Sequence, residues 1–332
     1  MQCETLLIAI CAIDFLNAFE KLRLLKALKN LGGGAEGALS FLESATLGQI
    51  AALARRDSMR PLLVKRWSGG ELLRLAQVSA RACQSFGIEL ALYGKKNYPP
   101  PLMQICDPPF ALFYRGNMAA VFGKNVSVVG TRRITPDGKM AARDFAWQAA
   151  AAGFCVVSGL AIGADGSAHQ GALDAFFDQK TGSCKTAAVL AGGVDNVFPA
   201  CHKKMAAQII QNGGVVLSEC APGIPAEKWR FVSRNRIIAA LSPATVVIQA
   251  PPGSGAMLTA DFALGYNREL FFHESCFSQG ASVVSNLVFK NLQAQTGAAA
   301  ARKIRTSPQK YVDSGAPVIR NFEEFAALLG KC

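Results

Sequence analysis

The stretch Val126–Gly138, VSVVGTRRITPDG, decides the fold of this chain. A short valine-rich run ends on a glycine, which is how a nucleotide-binding α/β domain opens its phosphate loop. Such a loop normally carries further glycines, which let the bare backbone approach phosphates. Arg132 and Arg133 stand in their place here, so the turn raises the question of which anion these guanidinium groups hold.

The pattern of strand, glycine turn and helix repeats after this stretch. Further apolar runs follow in order, all but the last leading into a helical pattern: FCVVSG, TAAVLAGG, VVLSE, ATVVIQA and RELFF. Continuous apolar strands that alternate with helices are typical of a parallel sheet covered by helices on both faces. The sequence therefore predicts an α/β domain over residues 125–332, with right-handed connections between its strands.

The residues before this domain fall into two parts. Residues 1–90 place apolar side chains at three- and four-residue steps, as in DFLNAFEKLRLLKALKNLGGG, and predict a small all-helical domain. The run TLLIAICAI near the start is too short to cross a bilayer, and we expect it to begin a buried helix. Residues 91–124 hold too many prolines for a helix and predict an extended linker that leads into the sheet.

Charge and cysteine usage restrict the partners and the compartment. The chain has 35 Lys+Arg against 23 Asp+Glu, a net charge of +12. This excess favours an anionic partner such as nucleic acid, and a generally basic surface explains it equally well. The 10 cysteines stand without a C-x-x-C pair, so we expect no zinc site and a reducing cytoplasm.

Ligands of an open parallel sheet gather at the carboxyl ends of its strands. The residues there are glycines, hydroxyls, an amide and cations, which bind phosphate through backbone N–H groups and guanidinium pairing. Phe198, in a turn beside lysines, either stacks on an unpaired base or anchors the turn in the core. The candidate binding residues are Gly130, Thr131, Arg132, Ser158, Gly159, Phe198, Lys203, Lys204, Arg234, Asn235, Arg236, Ser254 and Gly255.

The same edge does not predict a catalytic centre. The motifs G-x-S-x-G, H-E-x-x-H and G-x-x-x-x-G-K-[ST] are all missing from the sequence. His169, with Asp165 near it, is a conceivable general base, but the pattern favours a helix-borne histidine bonded to a neighbouring loop. We expect no cofactor and no metal, since G-x-G-x-x-G does not follow the first strand either.

In their order, these motifs resemble the DprA/Smf family of DNA-processing proteins. The resemblance covers about residues 93–272, and residues 1–90 are similar only in type, as a helical domain of the SAM or helix-hairpin-helix kind. The pieces that carry it are VVGTRRITPDG, VVSGLAIGADGSAHQGAL, AVLAGGVDNVFPACHKKM, LSECAPG, RNRIIAALS and SGAMLTADFALGYNRELF, preceded by NYPPPLMQICDPPFALFYRGN.

The resemblance implies a fold, a function and partners. It implies an extended Rossmann-like domain that binds single-stranded DNA along a basic pocket, protects it and loads RecA during natural transformation. It also implies a cytoplasmic homodimer without a membrane partner, in which Arg132 contacts phosphate. The chain departs from the family at Ile162, where a basic residue is usual, and at Val232, where proline is usual. The C-terminal winged helix of many members is not apparent.

A second interpretation starts from the loop PPGSGAMLT, which is similar to the loop of nucleotide phosphoribohydrolases. It would make the protein an enzyme that cleaves nucleoside monophosphates. Those enzymes have a catalytic glutamate shortly after the threonine of the loop, whereas TADFAL supplies Asp261 and no glutamate. The sequence therefore favours a DNA-binding protein over an enzyme.

Overall fold

The N-terminal region is all-helical, as the sequence predicts. The computed structural model describes residues 2–56, 67–179, 182–295 and 306–330. Asn17, Thr46 and Ser68 cap three of the N-terminal helices by accepting a backbone N–H three residues on, and Ile8 in the first helix is fully buried. The helices are α1 (Gln2–Cys11), α2 (Ala18–Asn30), α3 (Gly34–Ser44), α4 (Leu47–Leu53) and α5 (Gly69–Phe86).

Nine strands in the described part of the chain form one sheet in the order β1-β2-β6-β5-β4-β3-β7-β8-β9. β2 pairs antiparallel with β1 and β6, and the other neighbours pair parallel, so the predicted parallel sheet is confirmed with an antiparallel edge. The strands are β1 (Glu89–Leu92), β2 (Ala111–Gly116), β3 (Asn125–Val129), β4 (Cys155–Ser158), β5 (Thr186–Val189), β6 (Val215–Ser218), β7 (Ala244–Val247), β8 (Glu269–His273) and β9 (Val318–Ile319).

Helices cover both faces of this sheet. They are α6 (Pro136–Ala151), α7 (Ala164–Gln179), α8 (Lys203–Gln211), α9 (Lys228–Leu241), α10 (Gly255–Gly265), α11 (Gln279–Gln293), α12 (Pro308–Asp313) and α13 (Phe322–Leu329). α6, α7 and α13 bury the face that carries Val126 and Val246, while α9 and α10 bury the face that carries Val157 and Val247. Within the described ranges, no helix is both long enough and apolar enough to cross a membrane.

The sheet begins earlier in the chain than the sequence predicts. β2 and the second half of β1 lie within residues 91–124, which the sequence predicts to be a linker. The prolines of this segment all precede β2 and do not interrupt it: Pro100 opens a short 3-10 turn, and Pro109 lies two residues before the strand. The run ALFYRG therefore keeps its backbone N–H groups and pairs between β1 and β6, with Tyr114 opposite Leu217.

The N-terminal helices share a core with the sheet. Leu24 and Leu42 from these helices belong to one cluster of buried side chains with Phe113 and Val216 from β2 and β6. In addition, the buried Ser79 hydroxyl of α5 donates a 2.7 Å hydrogen bond to the carbonyl of Pro222, in the loop after β6. The helical region is thus held beside the carboxyl edge of the sheet, where its turns can contribute to sites.

α6 and α7 approach each other closely because α7 carries a glycine at the point of contact. A Cβ at Gly171 would lie 2.1 Å from the backbone carbonyl oxygen of Arg143. Beside this contact, Arg143 forms a 2.5 Å ion pair with Asp174, and the indole of Trp147 donates a 2.9 Å hydrogen bond to Asp178. The pair of helices positions the turns that precede them at the edge of the sheet.

We expect Gly171→Ala to lower the free energy of unfolding by about 1–3 kcal/mol, because the added methyl must push the two helix backbones apart. The better helix propensity of alanine opposes this loss only in part. Gly265→Ala is the matched control, since a Cβ at this glycine of α10 has no neighbour within 4 Å. Urea unfolding of both variants tests the point, and equal stability of Gly171→Ala and wild type would contradict it.

Candidate functional site

A cavity of about 390 Å³ lies at the carboxyl edge of the sheet, beside β3 and β7. The chain continues from β3 to β4 on one side, and β7 returns to pair with β3 on the other. Open sheets bind ligands at such a switch point. The cavity brings together a subset of the predicted site residues: Gly130, Thr131, Arg132, Arg234, Asn235, Ser254 and Gly255.

The turn after β3 is fixed by close packing and by hydrogen bonds. A Cβ at Gly130 would lie 2.5 Å from the Cβ of Ala164, so only glycine lets the turn pass the start of α7. The Thr131 N–H donates a 2.7 Å hydrogen bond to the carbonyl of Gln249, and the Thr131 hydroxyl accepts one from the N–H of Arg133 at 3.1 Å. The turn therefore presents its arginines from a rigid backbone.

Arg132 is exposed and lies on an aromatic ring. Its guanidinium carbon is 5.0 Å from the centroid of Phe231 in α9, a cation–π distance. Phe198 packs edge-to-face against the same ring, with centroids 5.8 Å apart, and 53% of Phe198 is exposed. Phe198 and Phe231 thus form an aromatic platform beside an exposed cation, although Phe198 itself lies outside the lining of the cavity.

Phe231 is not among the binding residues predicted from the sequence. The sequence nevertheless indicates it by helical spacing, because Phe231 precedes Arg234 by three residues and Asn235 by four, and such residues share one face of a helix. That face of α9 forms one wall of the cavity. The helical spacing within the run RFVSRNR therefore predicts that Phe231 lies beside Arg234 and Asn235.

Arg234 lies beneath the cavity and is almost fully buried. Its Nη1 donates a 2.7 Å hydrogen bond to the carbonyl of Val189, and a Cβ at Gly159 would lie 1.8 Å from the same nitrogen. Burial lowers the pKa of Arg234 to about 10, and the nearby carboxylate of Asp165 opposes this shift. Burial likewise raises the pKa of Asp165, against the effect of Arg234. Arg234 therefore anchors α9 through its bond to Val189, and its charge interacts with that of the buried Asp165.

Two predicted contact residues serve this internal packing instead. Ser158 is fully buried, and its hydroxyl donates a 2.6 Å hydrogen bond to the carbonyl of Val128 in the neighbouring strand. Gly159 is buried as well and leaves the space that the guanidinium of Arg234 fills. The Ser158 side chain is not exposed, Gly159 has no side chain, and neither residue lines the cavity, so their contact with a ligand stays a prediction.

The start of α10 supplies the other wall of the cavity. Ser254 is the N-cap residue, but its hydroxyl makes no capping bond and has no hydrogen-bond partner among the described residues. The side-chain amide of Asn235 donates to the carbonyl of Gly255 at 3.2 Å, which ties this loop to α9. A helix N-terminus has unsatisfied N–H groups and attracts anions. The wall therefore suits a phosphate group.

Three predicted cations lie away from the cavity. Lys203 and Lys204 are exposed at the start of α8 and do not line it. Arg236 points to the opposite side of α9, where it forms two hydrogen bonds of 2.5 and 2.7 Å with Glu219 and lies 3.6 Å from Asp107. Residues two apart on a helix differ in direction by about 200°. Arg236 is therefore held in an internal ion pair with Glu219, and its contact with a ligand stays a prediction.

His169, the conceivable general base, is fully buried and does not line the cavity. The Thr186 hydroxyl donates to the carbonyl of Val156, so it accepts the hydrogen of His169 Nδ1 at 2.7 Å. Burial lowers the pKa of His169 to about 3, which keeps the ring neutral. Asp261, the residue of the enzyme interpretation, accepts a hydrogen bond from Tyr311 and does not line the cavity. The described residues hold no cluster of metal ligands.

Comparisons with known proteins find one family and its fold. The family model for DNA recombination-mediator protein A matches residues 89–306. DNA processing protein DprA of Bacillus subtilis is 33% identical over 231 residues, which are 69% of this chain and 72% of that protein. Protein Smf of Borreliella burgdorferi is 31% identical over 64% of this chain and 65% of its own length. Protein Smf of Escherichia coli is 37% identical over 52% of this chain and 45% of its own length. The chain therefore spans only part of the length of these relatives.

Two solved structures are similar to this one. The X-ray structure of DNA processing protein A from Streptococcus pneumoniae covers 97% of this chain and 95% of its own, with a TM-score of 0.66 at 24% identity, which shows a shared fold. A structure of DNA processing protein A from Helicobacter pylori, which describes the single-stranded DNA binding mode of that protein, is 26% identical. It covers 61% of this chain and 96% of its own, with a TM-score of 0.50.

We expect Arg236→Met to lower the free energy of unfolding by about 2 kcal/mol, because Glu219 loses two charge-assisted hydrogen bonds inside the molecule. Arg133→Met is the control, since Arg133 is exposed, and we expect it to stay within about 0.5 kcal/mol of wild type. Chemical unfolding measures both. Unchanged stability of Arg236→Met would show that the ion pair does not support the fold.

Proposed function

We propose a function on the premise of family membership: the chain belongs to the family of DNA recombination-mediator protein A. The protein binds single-stranded DNA along the carboxyl edge of its sheet, protects it and passes it to a recombinase. The names of its relatives, DNA processing protein and Smf, support this proposal. So does the single-stranded DNA binding described for the related protein of Helicobacter pylori.

The observation that carries the proposal is the exposed cation beside the aromatic platform. Arg132 lies on Phe231 at the mouth of the cavity, and the exposed ring of Phe198 adjoins it. Cations bind the phosphates of a strand and exposed rings stack on its bases, which together bind single strands with little sequence preference. A duplex has its bases stacked inside and offers nothing to Phe198.

The remaining contacts follow from what the cavity exposes. The N–H groups at the start of α10, beside Ser254 and Gly255, would bind one phosphate. The turn at Gly130 and Thr131 would bring Arg132 to the next phosphate along the strand. Asn235 holds the α10 loop in place, and Arg234 supports α9 from below without touching DNA.

Lys203 and Lys204 would contact the strand farther along its path, beyond the platform. They are exposed at the start of α8, only a few residues after Phe198. Their contribution would be electrostatic and independent of base sequence. This part of the proposal rests on their charge and position and not on any contact within the protein.

The partners and the compartment are also proposals, and they rest on the family. Transfer of DNA to RecA, assembly as a homodimer and a cytoplasmic location follow from the resemblance of the motifs. The nine cysteines in the described ranges are free thiols, which suits a reducing compartment. A role without catalysis fits best. The phosphoribohydrolase interpretation depends on Asp261, which does not line the cavity, and the acidic residue that does line it, Asp165, is buried and interacts with the charge of Arg234.

We expect Arg132→Ala to weaken binding of labelled oligo-dT at least tenfold, because one phosphate of the strand no longer has a cation and the platform stands without its arginine. Fluorescence anisotropy over a salt series measures this effect. The slope of log K against log salt should become shallower by about 0.7 for each phosphate that the variant no longer neutralises.

Arg81→Ala is the matched control for this titration, because Arg81 is an exposed arginine of α5 that does not line the cavity. We expect it to bind oligo-dT as wild type does, and wild type to prefer oligo-dT to a matched duplex. If Arg132→Ala binds as tightly as Arg81→Ala, the site of DNA binding lies elsewhere.

A further inference from the structure

A second cavity, of about 520 Å³, lies on the other side of α9. Six residues of α9 line it, and four of them, Arg230, Ser233, Arg234 and Ile237, recur at helical spacing and form a continuous wall. The loops after β5 and β6 form its floor, and the turn between α1 and α2 closes it from above. This cavity also opens at the carboxyl edge of the sheet, and the N-terminal helices complete it.

The acidic groups around the second cavity are paired or exposed. Glu219 and Asp107 both interact with Arg236, and Asp14 is an exposed residue of the α1–α2 turn. The ammonium of Lys21, by contrast, has three hydrogens and donates one of them, to the carbonyl of Cys11 at 2.8 Å. Burial lowers the pKa of Lys21, and nearby acidic groups, Glu219 and Asp14 among them, oppose this shift.

The wall of α9 has more donors than acceptors. The buried Nε of Arg230 lies 3.7 Å from a carboxylate oxygen of Glu227, an ion-pair distance too long for a hydrogen bond, and it has no hydrogen-bond partner among the described residues. The buried Nε of Arg234 and the buried Nη1 of Arg236 likewise have no hydrogen-bond partner among these residues. Buried donors without acceptors cost free energy, and a ligand that brings anionic oxygens removes that cost.

The rest of the lining is apolar. Leu16, Leu75, Phe110 and Ile237 contribute side chains to the cavity, and the ring of Trp229 lies 4.3 Å from the guanidinium of Arg230. A ligand that fits must therefore combine an anionic group with an apolar or planar body. The volume lies within the range of about 300–1,000 Å³ that small-molecule sites occupy.

We propose that the second cavity binds a nucleoside monophosphate, with its phosphate at Lys21 and Arg230 and its base against the apolar side chains of the α1–α2 turn. The ligand is either a free nucleotide or the 5′-phosphorylated terminal nucleotide of a strand, which present the same chemistry. This site is separate from the cavity beside β3 and β7 that we propose to bind DNA, called the DNA cavity below. Helix α9 lies between the two cavities, and Arg234 is the residue that lines both.

Isothermal titration of the full chain with dTMP and with inorganic phosphate tests the proposal. We expect saturable binding of one dTMP per chain and at least tenfold weaker binding of inorganic phosphate, which lacks the apolar body. Lys21→Gln and Arg230→Gln should each weaken dTMP binding roughly tenfold, since each removes a charged donor. Lys26→Gln on the exposed side of α2 and Arg81→Gln on α5 are the matched controls and should bind as wild type does.

Two variants distinguish failure of the nucleotide site from failure of the proposed DNA binding. Arg132→Ala should bind dTMP normally, and Lys21→Gln should bind unphosphorylated oligo-dT normally. Competition of dTMP with 5′-phosphorylated oligo-dT identifies the strand terminus as the ligand, and absence of competition identifies the free nucleotide. The proposal is overturned if dTMP gives no saturable heat, or if Arg132→Ala abolishes dTMP binding while Lys21→Gln preserves it.

Discussion

The buried guanidinium of Arg234 is the interaction on which the arrangement of this edge depends. It joins α9 to the end of β5 through the carbonyl of Val189, fills the space above Gly159 and compensates the charge of Asp165. With α9 held in this way, Phe231 and Asn235 face one cavity and Arg230 and Arg236 face the other. The buried side chain of Arg234 therefore sets the position of α9 and, with it, of both candidate sites.

Much of the fold could be predicted because apolar residues recur with a different period in strands than in helices. The valine-rich runs and the glycines after them located the parallel strands, and the order of motifs located the edge where ligands gather. The proline content of residues 91–124 predicts a linker and hides β2, because all of these prolines lie before the strand. Pairing with β6, which is distant in sequence, decides the conformation of that run.

The site was predicted less completely, for a reason visible in the run RNR. Both arginines follow the same strand and carry the same charge, so composition does not distinguish them. Their directions on α9 distinguish them: Arg234 bonds to the end of β5, whereas Arg236 bonds to Glu219 after β6. Ser158 was likewise selected for its place at a strand end, and only the structure shows that its hydroxyl bonds to the adjacent strand. Exposure, which the sequence does not state, separates contact residues from supporting ones.

The most direct test of the account is hydrogen–deuterium exchange of the full chain, alone and with saturating oligo-dT. Residues 130–133, 231–235 and 253–256 come from three distant parts of the sequence and meet only at the DNA cavity. The account predicts slower exchange of these three segments together when the strand is bound. Protection confined to other segments, such as 203–211, with these three unchanged, would contradict it.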